Sequence, residues 1–237
     1  MIEIKNLTKK FSKLVAVNDV CLTIGDNECF ALLGLNGAGK STLINLLSTQ
    51  IYPTSGTAIL NGFDLQTQRE QIRKIVNISP QESAVAKNLT VKENLDLIAT
   101  LYDVENKDEK IENIIKEFGL VEKKNVLCKK LSGGQMRRLS IALAIISDPK
   151  ILFLDEPTLG LDVKARKILW EIIEKLKSKM TIVLTTHYLE EVEHLADKIG
   201  VISRGKIKVV GTLDQILRQT GKSSLEEAFV SLTEEEE

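Results

Sequence analysis

"CFALLGLNGAGKSTLINLL", Cys29 to Leu47, runs from a short apolar stretch through a cluster of glycines into an amphipathic segment. The opening apolar residues read as a strand buried on both faces, and the closing ones as a helix. Between them, Gly34, four residues and then Gly39-Lys40-Ser41 match the pattern of a phosphate-binding loop. Glycines let successive backbone N–H groups, through Asn36, Gly37 and Ala38, converge on phosphate oxygens, and the following helix N-terminus adds positive potential. Lys40 then reaches the β- and γ-phosphates of a nucleotide, Ser41 offers its hydroxyl to Mg²⁺, and Thr42 meets the α-phosphate. A glycine-rich turn with no ligand is the plain alternative. The strand before and the helix after supply the context that the pattern requires, so the chain is read as an α/β nucleotide-binding protein.

Outward from this stretch, β-branched runs alternate with longer amphipathic ones. "IEIKNLT", "VCLTIGD" and "TAILNG" read as strands near the N-terminus. "KILFLD" and "MTIVLTT" are nearly continuous apolar runs, as in a parallel sheet covered on both faces. "IGVISRGKIKVVG" reads as a hairpin with Arg204-Gly205 at its turn. From Asn94 to about Ser147 the residues are helix-like without a strand, which suggests a helical insertion into the α/β core. "TEEEE", Thr233 to Glu237, is expected to be a solvated, frayed end. No internal repeat is found.

Composition narrows the partners. Among 237 residues, 43% are hydrophobic and 27% charged, enough apolar material for a real core. The formal net charge of −1 gives no support to a nucleic-acid surface. Cys21, Cys29 and Cys128 form no CxxC pair and are expected as buried thiols in a reducing compartment. The start, "MIEIKNLTKKF", has no apolar leader. The longest apolar run, "LSIALAIIS", falls far short of the roughly 20 residues needed to span a bilayer.

Two more stretches carry chemistry. "ILFLDEPTLGLD" delivers Asp155 and Glu156 at the carboxyl end of a buried strand, the edge at which open α/β sheets bind ligands. Asp155 is placed to hold Mg²⁺ and Glu156 to orient or deprotonate an attacking water. Alone, an Asp-Glu pair at a strand end is more often solvated; a phosphate loop in the same chain shifts the balance. His187 follows "MTIVLTT" on the same edge and could bond the γ-phosphate or hold Glu156; a capping histidine is its alternative. His194 has no such position and reads as structural.

"LSGGQ", Leu131 to Gln135, combines an S-x-x-Q capping box with two adjacent glycines at a helix start. Glycine costs about 1 kcal/mol against alanine in a helix, and a capping box tolerates better helix formers between its ends. Bare backbone there admits an anion to the first N–H groups. Ser132, Gly133, Gly134 and Gln135 therefore read as a second phosphate grip.

Taken in order, "GLNGAGKST", "LSGGQ", "ILFLDEP", "LGLD" and "THYLEE" resemble the nucleotide-binding subunit of an ABC transporter, over essentially the whole chain. The resemblance implies a P-loop NTPase core with an antiparallel β subdomain, residues 1–82 and 150–237, and an inserted α-helical subdomain, 83–149. It implies ATP and Mg²⁺ as ligands. Each ATP would lie between the phosphate loop of one subunit and the LSGGQ of a second, identical or related, so that one chain holds two half-sites. It further implies Gln81, in "ISPQES", as a contact to Mg²⁺ or the attacking water. Asp162 would lie in the loop crossing the dimer interface, and Phe11 would stack on adenine, although a lone Phe is usually core. Leu35 departs from a common proline and Leu159 from a frequent serine; neither alters the catalytic carboxylates.

The function implied is an ATPase on the cytoplasmic face of the membrane that drives a separate transmembrane permease. The end "SSLEEAFVSLT" is similar to ATPases of the drug and ion exporter branch. The alternative is a soluble ABC-type ATPase acting in translation or DNA maintenance. Against it, the chain has one phosphate loop and one LSGGQ, and no sustained heptads.

Overall fold

The computed structural model describes residues 1–234. The chain runs β1 (Ile2–Phe11), β2 (Leu14–Ile24), β3 (Cys29–Leu33), α1 (Lys40–Leu47), β4 (Ser55–Leu60), β5 (Phe63–Asp64), α2 (Arg69–Ile75), β6 (Val76–Ser79), α3 (Val91–Leu101), α4 (Lys107–Glu117) and α5 (Gly133–Ile145). It continues through β7 (Ile151–Asp155), α6 (Val163–Lys177), β8 (Thr181–Thr186), α7 (Leu189–Leu195), β9 (Lys198–Ser203), β10 (Lys206–Gly211), α8 (Leu213–Thr220) and α9 (Leu225–Glu234). One sheet has the order β10-β9-β3-β8-β7-β6, parallel except for β10 at its edge. The other is antiparallel, β2-β1-β4-β5.

The apolar runs dictate this arrangement. Every residue of β3, β7 and β8 is buried, so these strands need cover on both faces. On β3, Cys29, Ala31 and Leu33 face a core shared with α3 to α7, whereas Phe30 and Leu32 face a core shared with β1, β2, β4 and α1. Alternation along one strand thus separates the helical cover from the antiparallel one. Each large apolar side chain buried in this way contributes about 2 kcal/mol. Helix α5 packs on β6 and β7 as well as on α3 and α6, so the helical segment is continuous with the sheet's own core.

Local signals fix the helix starts. Thr90 caps α3 in a reciprocal box with Glu93, which starts that helix three residues before Asn94. Ser132 with Gln135 and Thr212 with Gln215 do the same for α5 and α8. Arg204 and Gly205 both take positive φ, 48° and 77°, giving the hairpin turn the twist of its strands.

Three details differ from expectation. Cys21 is exposed, because Val20 and Leu22 take the inward positions of β2 and the cysteine alternates outward; Cys29 and Cys128 are buried, and all three are free thiols. Strand β6, "VNIS", extends the parallel sheet beside β7 although its polar residues gave no apolar run. Thr233 and Glu234 belong to α9, with the Thr233 hydroxyl donating to Phe229 O at 2.8 Å; the remaining glutamates of that tail lie outside the described residues. No described helix is long and apolar enough to cross a membrane.

Candidate functional site

The phosphate loop leaves the carboxyl end of β3 at the centre of the parallel sheet, with the ends of β7 and β8 beside it. Gly39 starts α1 with φ 105°, and a Cβ there would lie 2.3 Å from Ala16 O, so only glycine fits. No side chain caps α1. The loop is propped from the far end of the chain: Gly205 N donates to Ala38 O at 2.9 Å, and Asn18 N donates to Gly205 O at 2.8 Å. Lys40 folds back over the loop, donating to Gly34 O at 2.6 Å, and its ammonium lies 3.0 Å from Glu156 Oε1.

Asp155 ends β7 and turns its carboxylate to α1. Its Oδ1 accepts from Ser41 Oγ at 3.1 Å and from the Thr185 hydroxyl. A hydroxyl and a carboxylate this close, with the Gln81 amide in the same cleft, are the hard oxygen donors that suit Mg²⁺. Among the described residues no three His, Cys, Asp or Glu side chains cluster as a self-sufficient metal site, so the ion would need oxygens from the nucleotide.

Glu156 has φ 46°, a left-handed conformation that costs a non-glycine residue about 1 kcal/mol. The turn is held by Glu156 N, which donates to Thr185 O and Thr185 Oγ1, both at 3.1 Å. It swings the carboxylate between two partners, with Oε1 on Lys40 and Oε2 2.9 Å from His187 Nδ1. A carboxylate only accepts, so Nδ1 carries the proton in this bond and Nε2 is left free. A carboxylate held 6% exposed between an ammonium and an imidazole is placed to position or deprotonate a water.

A cleft of about 740 Å³ gathers most of the expected residues: Phe11, Asn36, Gly37, Gly39, Lys40, Ser41, Thr42, Gln81, Glu156 and His187. Phe11 lies at the rim, 45% exposed, with Lys9 Nζ 4.9 Å from its ring centroid. Gly34 and Asp155 stand directly behind the cleft, bonded to Lys40 and Ser41, and Ala38 accepts the Gly205 prop. Leu159 also lines it.

Ser132, Gly133, Gly134, Gln135 and Asp162 do not line this cleft. Ser132 and Gln135 close the capping box on each other: Ser132 N donates to Gln135 Oε1 at 3.0 Å, and Gln135 N donates to Ser132 Oγ at 3.3 Å. The two glycines differ. A Cβ on Gly133 meets nothing within 4 Å, whereas one on Gly134 would lie 2.8 Å from Ala165 Cβ. Gly134 therefore has a reason inside its own chain, the close approach of α5 to α6, and Gly133 has none. Asp162 caps α6, accepting from Ala165 N at 2.8 Å, and is otherwise exposed.

Sequence reasoning overlooked Arg137. It is 5% exposed on α5, and its guanidinium donates to Pro157 O at 2.8 Å, Asp155 O at 2.8 Å and Pro80 O. Burial holds its pKa down at about 10. One side chain thus ties the helix after LSGGQ to the end of β7 and to the residue before Gln81. The only local signal was an arginine inside an apolar helix. His194, read from the sequence as structural, stacks its ring on Trp170 at 4.7 Å and does not line the cleft.

Residues 17–159 match the sequence model of one family, described as ABC transporter. Similar curated proteins include "ABC transporter A family member 6" of Dictyostelium discoideum, 43% identical over 89% of this chain, and the human "Phospholipid-transporting ATPase ABCA3", 37% identical over 89%. The chain spans 13% of the length of each. Among solved structures, an ATP-binding subunit of an ABC transporter superposes with a TM-score of 0.88 at 32% identity, covering 98% of this chain and 99% of that one. A dimeric ATP-binding cassette bound to ADP and Pi gives 0.80 at 26% identity, covering 90% and 99%.

Proposed function

This chain belongs to the ABC transporter family as one of its ATP-binding cassettes, and on that premise we propose that it hydrolyses ATP in sites shared between two cassettes and so drives a transmembrane permease. One observation carries the shared site. The loop, Lys40, Ser41, Asp155, Glu156 and His187 converge at one cleft, while Ser132, Gly133, Gln135 and Asp162 of the same chain lie outside it. A single chain thus presents one half of a site and, elsewhere, residues suited to complete another.

In this reading the phosphate loop and the start of α1 hold the phosphates, with Lys40 transferring its charge to them. Ser41, Asp155 and Gln81 would hold Mg²⁺, which neutralises phosphate charge when bound. Glu156, kept in place by its left-handed turn and by His187, orients and deprotonates the attacking water. Phe11 offers a stacking face to the base. The partner's Ser132-to-Gln135 turn touches the phosphates only in the closed dimer. ATP therefore favours closure by its differential affinity for that state. The helical segment, 83–149, and the Gln81 region pass the motion to the permease.

The membrane-spanning part is assigned to polypeptide outside residues 1–234, and the cassette to the cytoplasmic face. Export is favoured by the "SSLEEAFVSLT" end, and the name of a relative such as ABCA3 makes phospholipid one candidate cargo. A role in translation or DNA maintenance has no observation in its favour.

The test is ATP-dependent dimerisation with turnover. Glu156→Gln should cut hydrolysis by about 10²–10⁴-fold while ATP-bound dimers accumulate. Ser132→Arg should leave nucleotide binding by the monomer intact and abolish the dimer. A Ser132→Arg protein that dimerises and turns over normally would exclude the shared site.

A further inference from the structure

Outside the lining of the cleft lies a buried acid that the mechanism above does not use. Glu191, on α7, is 0% exposed, and neither carboxylate oxygen has a partner at hydrogen-bond geometry. Two buried donors beside it share that condition, Thr158 Oγ1 and Trp170 Nε1. Thr186 is the third group that acts on the carboxyl. Its hydroxyl accepts from Tyr188 N at 3.0 Å and so keeps its own proton to give. Burial, seconded by the charge of Glu156, pushes the Glu191 carboxyl up to about 7, while Thr186, Thr158 and Trp170 pull it down.

A buried acid without a direct ion pair is costly even with the Arg137 guanidinium acting on it through space, and an apolar residue of similar size would serve packing better. What distinguishes this one is where its three neighbours come from. Thr186 ends β8 and directly precedes His187. Thr158 lies two residues after Glu156, in the segment that leads to Asp162. Trp170 lies on α6, which Asp162 caps, and its ring stacks on His194 of α7. Donors from three segments thus act on its two oxygens without closing a hydrogen bond in this structure: one directly before His187, one two residues after Glu156, and one two turns along the helix that Asp162 caps.

We propose that Glu191 is a positioning residue for ATP hydrolysis, its carboxyl drawing the Glu156–Asp162 segment and α6 onto the end of β8 and so fixing Glu156 against His187. It does not line the nucleotide cleft. It sets the turn after Glu156 from behind, as the Thr185 hydroxyl does from the strand side. The inference rests on the ATPase reading, since it names a residue serving that reaction.

The experiment measures steady-state ATPase kinetics, nucleotide affinity and thermal stability for Glu191→Gln and Glu191→Leu, beside wild type and Glu156→Gln. A clamp that slackens by about an ångström costs on the order of 10²-fold in turnover. We expect kcat to fall about 10²-fold in Glu191→Leu and about tenfold in Glu191→Gln, which keeps one acceptor oxygen. KM and ATP affinity should stay within about twofold, and Glu191→Leu should be no less stable than wild type. Should Glu191→Leu fail to fold, Glu191→Gln alone decides. Thr158→Val combined with Glu191→Gln should lose less than the product of the two single losses, because both cut the same clamp. Wild-type kcat in Glu191→Gln and in any folded Glu191→Leu, or a loss matched by an equal rise in KM, would overturn the clamp and leave the ATPase reading standing. A wild-type protein without ATPase activity would overturn both.

Discussion

Replacing Arg137 by methionine keeps an unbranched apolar stem and removes a buried three-way tie. Three charge-assisted bonds to Pro157 O, Asp155 O and Pro80 O contribute about 2 kcal/mol each, about 6 kcal/mol together. Against this stands the cost of burying the cation, with a pKa held at about 10, well below arginine's ordinary value, or about 3 kcal/mol. The bonds win, and Arg137→Met should lose about 3 kcal/mol, read as a lower urea midpoint at unchanged slope. Neighbouring Arg138 provides the control. It donates to Phe118 O at 2.6 Å and Gly119 O at 3.1 Å, within the helical segment and away from β7, so Arg138→Met should cost less and spare turnover. Arg137→Lys keeps the charge but replaces a planar fork by a point donor, and should recover only part of the loss. An Arg137→Met protein within about 1 kcal/mol of wild type would refute the reasoning, as those carbonyls would then need no partner.

Lys40→Ala should weaken ATP binding itself, measured by titration, and should free Glu156 from its ion pair; undiminished affinity would remove Lys40 from the phosphate site. Gly133→Ala should leave the monomer's melting temperature unchanged or raise it, by up to about 1 kcal/mol of stability, whereas Gly134→Ala, forced onto Ala165 Cβ, should cost about 1–3 kcal/mol. Equal effects at the two glycines would contradict that asymmetry. Glu191 should also make stability fall as pH rises. Its folded carboxyl, at about 7, still holds a proton that the unfolded chain, at 4.5, has shed, so the window is pH 4.5 to 7 and the span about 3 kcal/mol. Urea midpoints of wild type and Glu191→Gln should diverge across that window in favour of the variant at the higher pH, and parallel curves would show that the carboxyl does not titrate there.

Legibility in the sequence followed locality. Cys29 to Leu47, the run into Asp155-Glu156, the run into His187 and the Arg204-Gly205 turn each carry their instructions within a dozen residues, and the structure brings the first three to one sheet edge. Strand β6 was hidden because its polar side chains answer to a distant helix. Asn77 donates to Ala144 O at 2.6 Å, and Ser79 bonds Ser140 across 3.0 Å. Those bonds exist only once α5 has docked, so no periodicity advertises them. Arg137 and Glu191 were hidden for the same reason, since a charge on an isolated helix reads as solvated until the fold closes over it. Cys21 erred the other way, its residue type suggesting burial while the alternation of β2 turned it outward. The two glycines of LSGGQ were legible as a pair and resolve into two roles only when Ala165 is seen beside one of them.

Strand β3, which launches the phosphate loop, pairs on one side with residues 182–186 and on the other with residues 198–201, and the loop itself leans on Gly205. The earliest recognisable motif of the chain is therefore among the last to acquire its scaffold. On the ribosome, a nascent chain of the first hundred residues contains every phosphate-contacting group of the loop yet lacks both neighbours of the strand beneath it. Contacts of such long sequence separation slow folding, and they tie assembly of the loop's scaffold to synthesis past Gly205. Glu156 and His187 both precede Gly205, so on the proposed reading the hydrolytic groups would be in place before the phosphate loop is fully propped.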